Sequence, residues 1–201
     1  MSSPELVGQW GVLGGAFDPV HNGHLTLATD IRCQCDLEGV VLVPAAAHPF
    51  KNNTHASFED RMNMLRAAVA GDEGFLVSDV EQAEDLPGHT LDTVRALKKK
   101  YPRAELYFIM GEDNLDDFHR WHRPDELMRE VKILVGYRPP HVPDRESVLP
   151  SDRSRLVPTR LVDISATEIR EMISHNPGDE RLPEMVPARV LKYIREHGLY
   201  Q

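Results

Sequence analysis

The sequence predicts an α/β fold, a doubly wound parallel sheet with a small C-terminal helical subdomain. Short apolar runs such as "GVVLVPA" and "ELYFIMG" alternate with segments of helical spacing. Strands apolar on both faces belong in a parallel sheet covered by helices. The chain has 201 residues, 41% of them hydrophobic, which is enough for one compact core. Without internal repeats or low-complexity stretches, residues 1–201 read as a single domain, with a core over about 8–162 and a helical part over about 163–201.

Each element has its own signal. "WGVLGG" (Trp10 to Gly15) is a first strand that ends in glycines, and "HLTLATDIRCQC" follows with helical spacing of Leu25, Leu27, Ala28 and Ile31. "GVVLVPA" is a second buried strand. "SFEDRMNMLRAAVAG" is a helix with Ser57 as its N-cap and Gly71 as its stop. "FLVSDVE" reads as a third strand, and "TLDTVRALKKKYP" as a helix ended by Pro102. "ELYFIMG" is the fourth strand, "RPDELMRE" a short helix with Pro124 near N1, and "VKILVGYR" the fifth strand. "RPPHVPDRESVLPSDRS" is a polar, proline-rich surface loop. "RLVPTRLVDI" is a last strand, followed by the helices "SATEIREMISH" and "PARVLKYIREHG". The alternation is Rossmann-like, and such sheets bind ligands at the carboxyl ends of their strands.

Composition narrows the function. The net charge is -9, aromatics are 6%, and the only basic run, Lys98 to Lys100, closes a helix where it complements the dipole. This argues against nucleic-acid binding. No apolar run approaches a membrane span, and "MSSPELVGQW" lacks the basic and apolar regions of a secretory signal. Cys33 and Cys35 are too close for a relaxed disulfide and suit a reducing cytosol, so a cytoplasmic protein is expected. The oligomeric state stays open, a homo-oligomer included.

"GGAFDPVHNGHL" (Gly14 to Leu25) lies at the end of the first strand and leads into a helix. Gly14 and Gly15 let a ligand approach the backbone, and free N–H groups near His24 and Leu25 suit an anion. His21 and His24 can point to one side and donate to one phosphate chain. A glycine turn with surface histidines and a two-histidine metal site are the competing readings. The stretch resembles the GGxFDPxHxGH signature of the HxGH nucleotidyltransferase superfamily. The resemblance implies that His21 and His24 bind the triphosphate of ATP, with Gly14, Gly15, Phe17 and Asp18 as further ATP- and phosphate-binding residues.

Far along the chain, "DISATEIREMI" places Ser165 and Glu168 as a capping box, with Thr167 in the first helical turn and Arg170 one turn on. It is similar to the superfamily's ISSTxIR motif, with Ala166 replacing the second serine. Arg170 joins the two histidines as a catalytic candidate, and Ser165 and Thr167 as phosphate contacts. Attack on the α-phosphorus needs alignment and charge neutralisation, and Mg²⁺ would be held mainly by phosphates and water, with no protein metal ligands expected.

Three further segments are similar to bacterial nicotinate mononucleotide adenylyltransferases. "MGEDNLDDFHRW" offers Asp113 to ribose hydroxyls and Trp121 as a flat face for the nicotinate ring. "LPGHTLDTV" aligns Thr90 with the threonine that holds the nicotinate carboxylate, with His89 where tyrosine is usual. "PAAAHPFKNN" keeps Lys51 for the substrate phosphate, with Phe50 in place of histidine. "VPARVLKYIREHGLY" matches the family's closing helix and Leu-Tyr ending. The implied reaction joins ATP and nicotinate mononucleotide into deamido-NAD and pyrophosphate. Nicotinamide mononucleotide and phosphopantetheine are alternative acceptors. A non-catalytic nucleotide sensor and a histidine-based metal hydrolase are the alternatives from other classes.

Overall fold

The first strand sits in the middle of the sheet, with partners from both directions along the chain. The computed structural model describes residues 5–46, 54–140, 142–143, 149–150, 152–160 and 162–201. The strands are β1 (Gly8–Gly15), β2 (Gly39–Pro44), β3 (Phe75–Val77), β4 (Ala104–Gly111), β5 (Lys132–Tyr137) and β6 (Ser154–Pro158). They pair in parallel in the order β3-β2-β1-β4-β5-β6. The helices are α1 (Asn22–Gln34), α2 (Phe58–Ala68), α3 (Val80–Ala83), α4 (Thr90–Lys100), α5 (Pro124–Glu130), α6 (Ala166–His175), α7 (Leu182–Met185) and α8 (Ala188–Glu196). The order reverses between β1 and β4, so a crevice opens beyond the carboxyl ends of those two strands.

Side chains alternate between two cores. Leu13, Leu42 and Leu134 point to one face, where Ile31 of α1, Leu65 of α2, Ile169 of α6 and Leu191 of α8 cover them. Val12, Val41 and Val135 point to the other, against Val94 and Leu97 of α4 and Leu127 of α5. Both faces are thus dry, which explains strands without polar alternation. The helices beyond residue 163 share the first core with α1 and α2.

Two strands are shorter than their apolar runs predict. The expected third strand through Glu81 stops at Val77, opposite Leu42. Two residues past Leu42 stands Pro44, with no N–H to extend the ladder, and the chain turns into α3 with Glu81 buried. The expected last strand through Ile164 stops at Pro158. There Thr159 donates its N–H and its hydroxyl to the Tyr137 carbonyl, at 2.8 and 3.1 Å, and Arg160 turns away to pair with Asp30.

Candidate active site

The β1–α1 turn is built around Phe17, whose φ of 49° is left-handed. That conformation is strained for a bulky residue and persists only where contacts fix it. The Phe17 ring is buried, with its edge toward His24 at 4.9 Å between centroids. The His21 and His24 rings pack at 3.7 Å between centroids, tilted by 31°. Gly23 permits this, because a Cβ there would lie 3.0 Å from His21 Nδ1. The His21 N–H donates to His24 Nδ1 at 3.3 Å. A neutral His24 therefore carries its proton on Nε2. The N–H groups of His24 and Leu25, expected to be free for an anion, both donate to the His21 carbonyl at 3.0 and 3.3 Å. With His21 as N-cap, its carbonyl accepts the first-turn bonds, and the two imidazoles bring ring nitrogens to this wall.

Facing this wall across a cleft of about 830 Å³ is the start of α6. Ser165 caps that helix, its hydroxyl accepting from Glu168 N–H at 3.1 Å, which is one limb of the expected capping box. Arg170 donates to Thr167 Oγ1 at 3.1 Å and to the Asp18 carbonyl at 2.7 Å. His21, His24, Asp18, Ser165, Thr167 and Arg170 all line the one cleft, although the two motifs lie some 140 residues apart in sequence (from His24 to Ser165). Phe17 and Ala166 line it too; Gly14 and Gly15 end β1 outside that lining, and the Gly15 carbonyl accepts Ala45 N–H at 2.9 Å. Asp113 stands on the wall beyond β4, where a Cβ on Gly111 would meet its Oδ1. Glu112 beside it holds Arg138, accepting from its N–H at 3.0 Å and its Nε at 3.2 Å.

Burial sets the electrostatics. It pushes the His21 pKa down to about 4. His24 is pushed well below the ordinary histidine range by burial and by the facing His21. Both rings are neutral at pH 7, and His21 Nδ1 is a buried polar atom without a partner among the described residues. Burial alone would raise the Asp18 carboxyl. The hydrogen bonds from His55 N–H, Tyr200 and Ala56 N–H outweigh it and hold the group below its usual range.

Sequence reasoning missed several residues that build this site. Arg61, fully buried, donates to the Ala16 carbonyl at 2.7 Å and the Ala45 carbonyl at 2.9 Å, clamping the loops beyond β1 and β2. Its signal, one arginine inside an amphipathic helix, looks like any solvated residue. Glu81 accepts from Thr93 Oγ1 at 2.6 Å and from Ala46 N–H at 3.0 Å, and burial raises its carboxyl pKa.

Of the residues expected to bind the acceptor, Asp113 lines the cleft, whereas Thr90 and Trp121 lie apart from its lining. Thr90 is the first residue of α4, and Trp121 follows a short turn, packed edge-on to Phe108 at 5.7 Å and tilted on Phe118 at 5.3 Å. Their chain neighbours His89 and His122 stack at 4.3 Å and 12°, which joins the two segments. Lys51 and Phe50 lie outside the described residues.

Comparison with known proteins adds to this geometry. The cytidylyltransferase-like family model matches residues 12–172. A protein of Opitutus terrae named probable nicotinate-nucleotide adenylyltransferase is 41% identical over 192 residues, covering 95% of this chain and 97% of its own. One of the same name from Dehalococcoides mccartyi is 36% identical over 198 residues, covering 94% and 96%. Among solved structures, Plasmodium falciparum nicotinic acid mononucleotide adenylyltransferase complexed with NaAD has a TM-score of 0.80. It covers 96% of this chain and 97% of its own at 19% identity, a likeness of fold.

Proposed function

The chain belongs to the cytidylyltransferase-like family, and on that premise we propose that it transfers the adenylyl group of ATP to nicotinate mononucleotide, yielding deamido-NAD (nicotinate adenine dinucleotide) and pyrophosphate in NAD biosynthesis. The observation that carries the reading is the close, tilted His21–His24 pair that lines one cleft with Thr167 and Arg170. Such a cleft offers a polyphosphate N–H donors from one wall and a guanidinium with hydroxyls from the other.

A phosphate oxygen of nicotinate mononucleotide attacks the α-phosphorus, the bond to the β-phosphate oxygen breaks, and pyrophosphate leaves with that electron pair. No covalent bond to the protein forms. The residues align the two anions and stabilise charge on the α-phosphate as it grows. His24, with its proton on Nε2, donates to a non-bridging α-phosphate oxygen. His21 and Arg170 hold the polyphosphate, and Ser165 and Thr167 supply hydroxyls. The donor set of imidazoles and a guanidinium suits phosphate oxygens, so Mg²⁺ would be carried on those oxygens and water, where it neutralises phosphate charge. Thr90, Trp121 and Lys51 serve the pyridine nucleotide: carboxylate, ring and phosphate respectively. Asp113 accepts from ribose hydroxyls.

Among the described residues no helix is long and apolar enough to cross a membrane. ATP as co-substrate fits a cytoplasmic location.

The test is pyrophosphate release from ATP·Mg²⁺ with nicotinate mononucleotide, nicotinamide mononucleotide and phosphopantetheine offered separately. Turnover is expected to be fastest with the first. Failure with both pyridine nucleotides overturns the reading.

A further inference from the structure

The segment after α8 returns to the cleft. Gly198 is left-handed (φ 61°), Leu199 N–H donates to the Ile194 carbonyl at 3.0 Å, and Gly198 N–H donates to the Arg195 carbonyl at 3.4 Å. These are the paired bonds of a glycine-terminated helix, and they turn the chain back. Tyr200, itself left-handed at φ 66°, then places its hydroxyl 2.8 Å from Asp18 Oδ1. We propose that Tyr200 is a positioning residue for the His21–His24 turn. Its hydroxyl holds the Asp18 carboxylate, and through it the strained Phe17 backbone that presents both imidazoles to the cleft.

Asp18 is only 4% exposed, and all its oxygens are engaged. Oδ2 accepts His55 N–H at 2.7 Å, Oδ1 accepts Ala56 N–H at 3.0 Å together with Tyr200, and the carbonyl accepts Arg170 at 2.7 Å. The residue thus gathers the segment before α2, the start of α6 and the segment after α8 onto one turn. A strained turn needs such over-determination to stay in one conformation. Burial, with Asp18 alongside, pushes the Tyr200 phenol well above its ordinary range, so it remains a protonated donor at neutral pH. α8 docks without it: the Tyr193 hydroxyl donates to Asp60 Oδ1 at 3.0 Å and accepts from Asn63 at 3.2 Å on α2. Losing the Tyr200 hydroxyl therefore loosens the turn and leaves the helix in place.

The inference rests on the phosphate-site reading, and its test separates the two. Tyr200→Phe keeps the ring and deletes the donor, while Tyr193→Phe removes a hydroxyl that holds α8 but not the turn. Three quantities are measured below the melting range: kcat, KM, and amide hydrogen exchange at Ala56 without nucleotide. For Tyr200→Phe we expect kcat about tenfold lower, KM for nicotinate mononucleotide within about twofold of wild type, and faster exchange at Ala56. For Tyr193→Phe we expect a lower melting midpoint with wild-type kcat. Wild-type kcat and exchange in Tyr200→Phe overturn the proposal, as does an equal loss of kcat in Tyr193→Phe. If the wild-type protein turns over neither pyridine nucleotide, the proposed function fails, and exchange at Ala56 still decides whether Tyr200 anchors the turn.

Discussion

At His24, one hydrogen bond decides which ring nitrogen carries the proton. Because the His21 N–H occupies Nδ1, Nε2–H is the donor left for a phosphate oxygen. His24→Ala should lower kcat by about 100-fold or more, the scale of losing one donor to developing charge, with an unchanged far-UV spectrum. A near-normal kcat would remove His24 from the proposed chemistry. The glycines and histidines of this turn are legible in sequence because their spacing is local. The use of Asp18 is not: its carboxylate meets residues 37, 38 and 182 positions away, and no local pattern encodes those partners.

Among the elements, the alternation of strands and helices follows from apolar patterning, and the Ser57 and Ser165 caps follow from local polar residues. The shortened β3 and β6 depart from it, because hydropathy does not register where a proline or an inward-turning side chain ends the ladder. Arg61 is the plainest case of an element doing work its pattern hides. From inside α2 it fastens the loops that follow two neighbouring strands. Arg61→Met should lower the free energy of unfolding in urea by about 3 kcal/mol, since two carbonyls lose a charged donor. Arg61→Lys should recover only part of this, because a point charge cannot span both acceptors as a planar fork does. Equal unfolding midpoints for Arg61→Met and wild type would contradict the clamp.

For the whole molecule, the buried imidazoles couple stability to pH. Unfolded histidine binds a proton below about pH 6.5, whereas folded His21 resists protonation until about 4. The stabilising contribution is therefore complete above pH 6.5 and is lost progressively as pH falls toward 4. In urea unfolding, wild type should lose about 2 kcal/mol more than His21→Asn between pH 7 and pH 5. Parallel losses would show that the ring is not held neutral by the fold. The same long-range construction has a temporal side during synthesis. The hydrogen bond between Asp18 and Tyr200 spans 182 residues, so at about 5–20 residues per second a ribosome needs roughly 10–40 s between making the two. Late in that interval, once β5 and β6 have been made, a nascent chain can hold its sheet while the turn that carries its histidines lacks its last tether. A message cut short just after α8 would then yield a protein that keeps its docked helices and turns over slowly for want of one phenol.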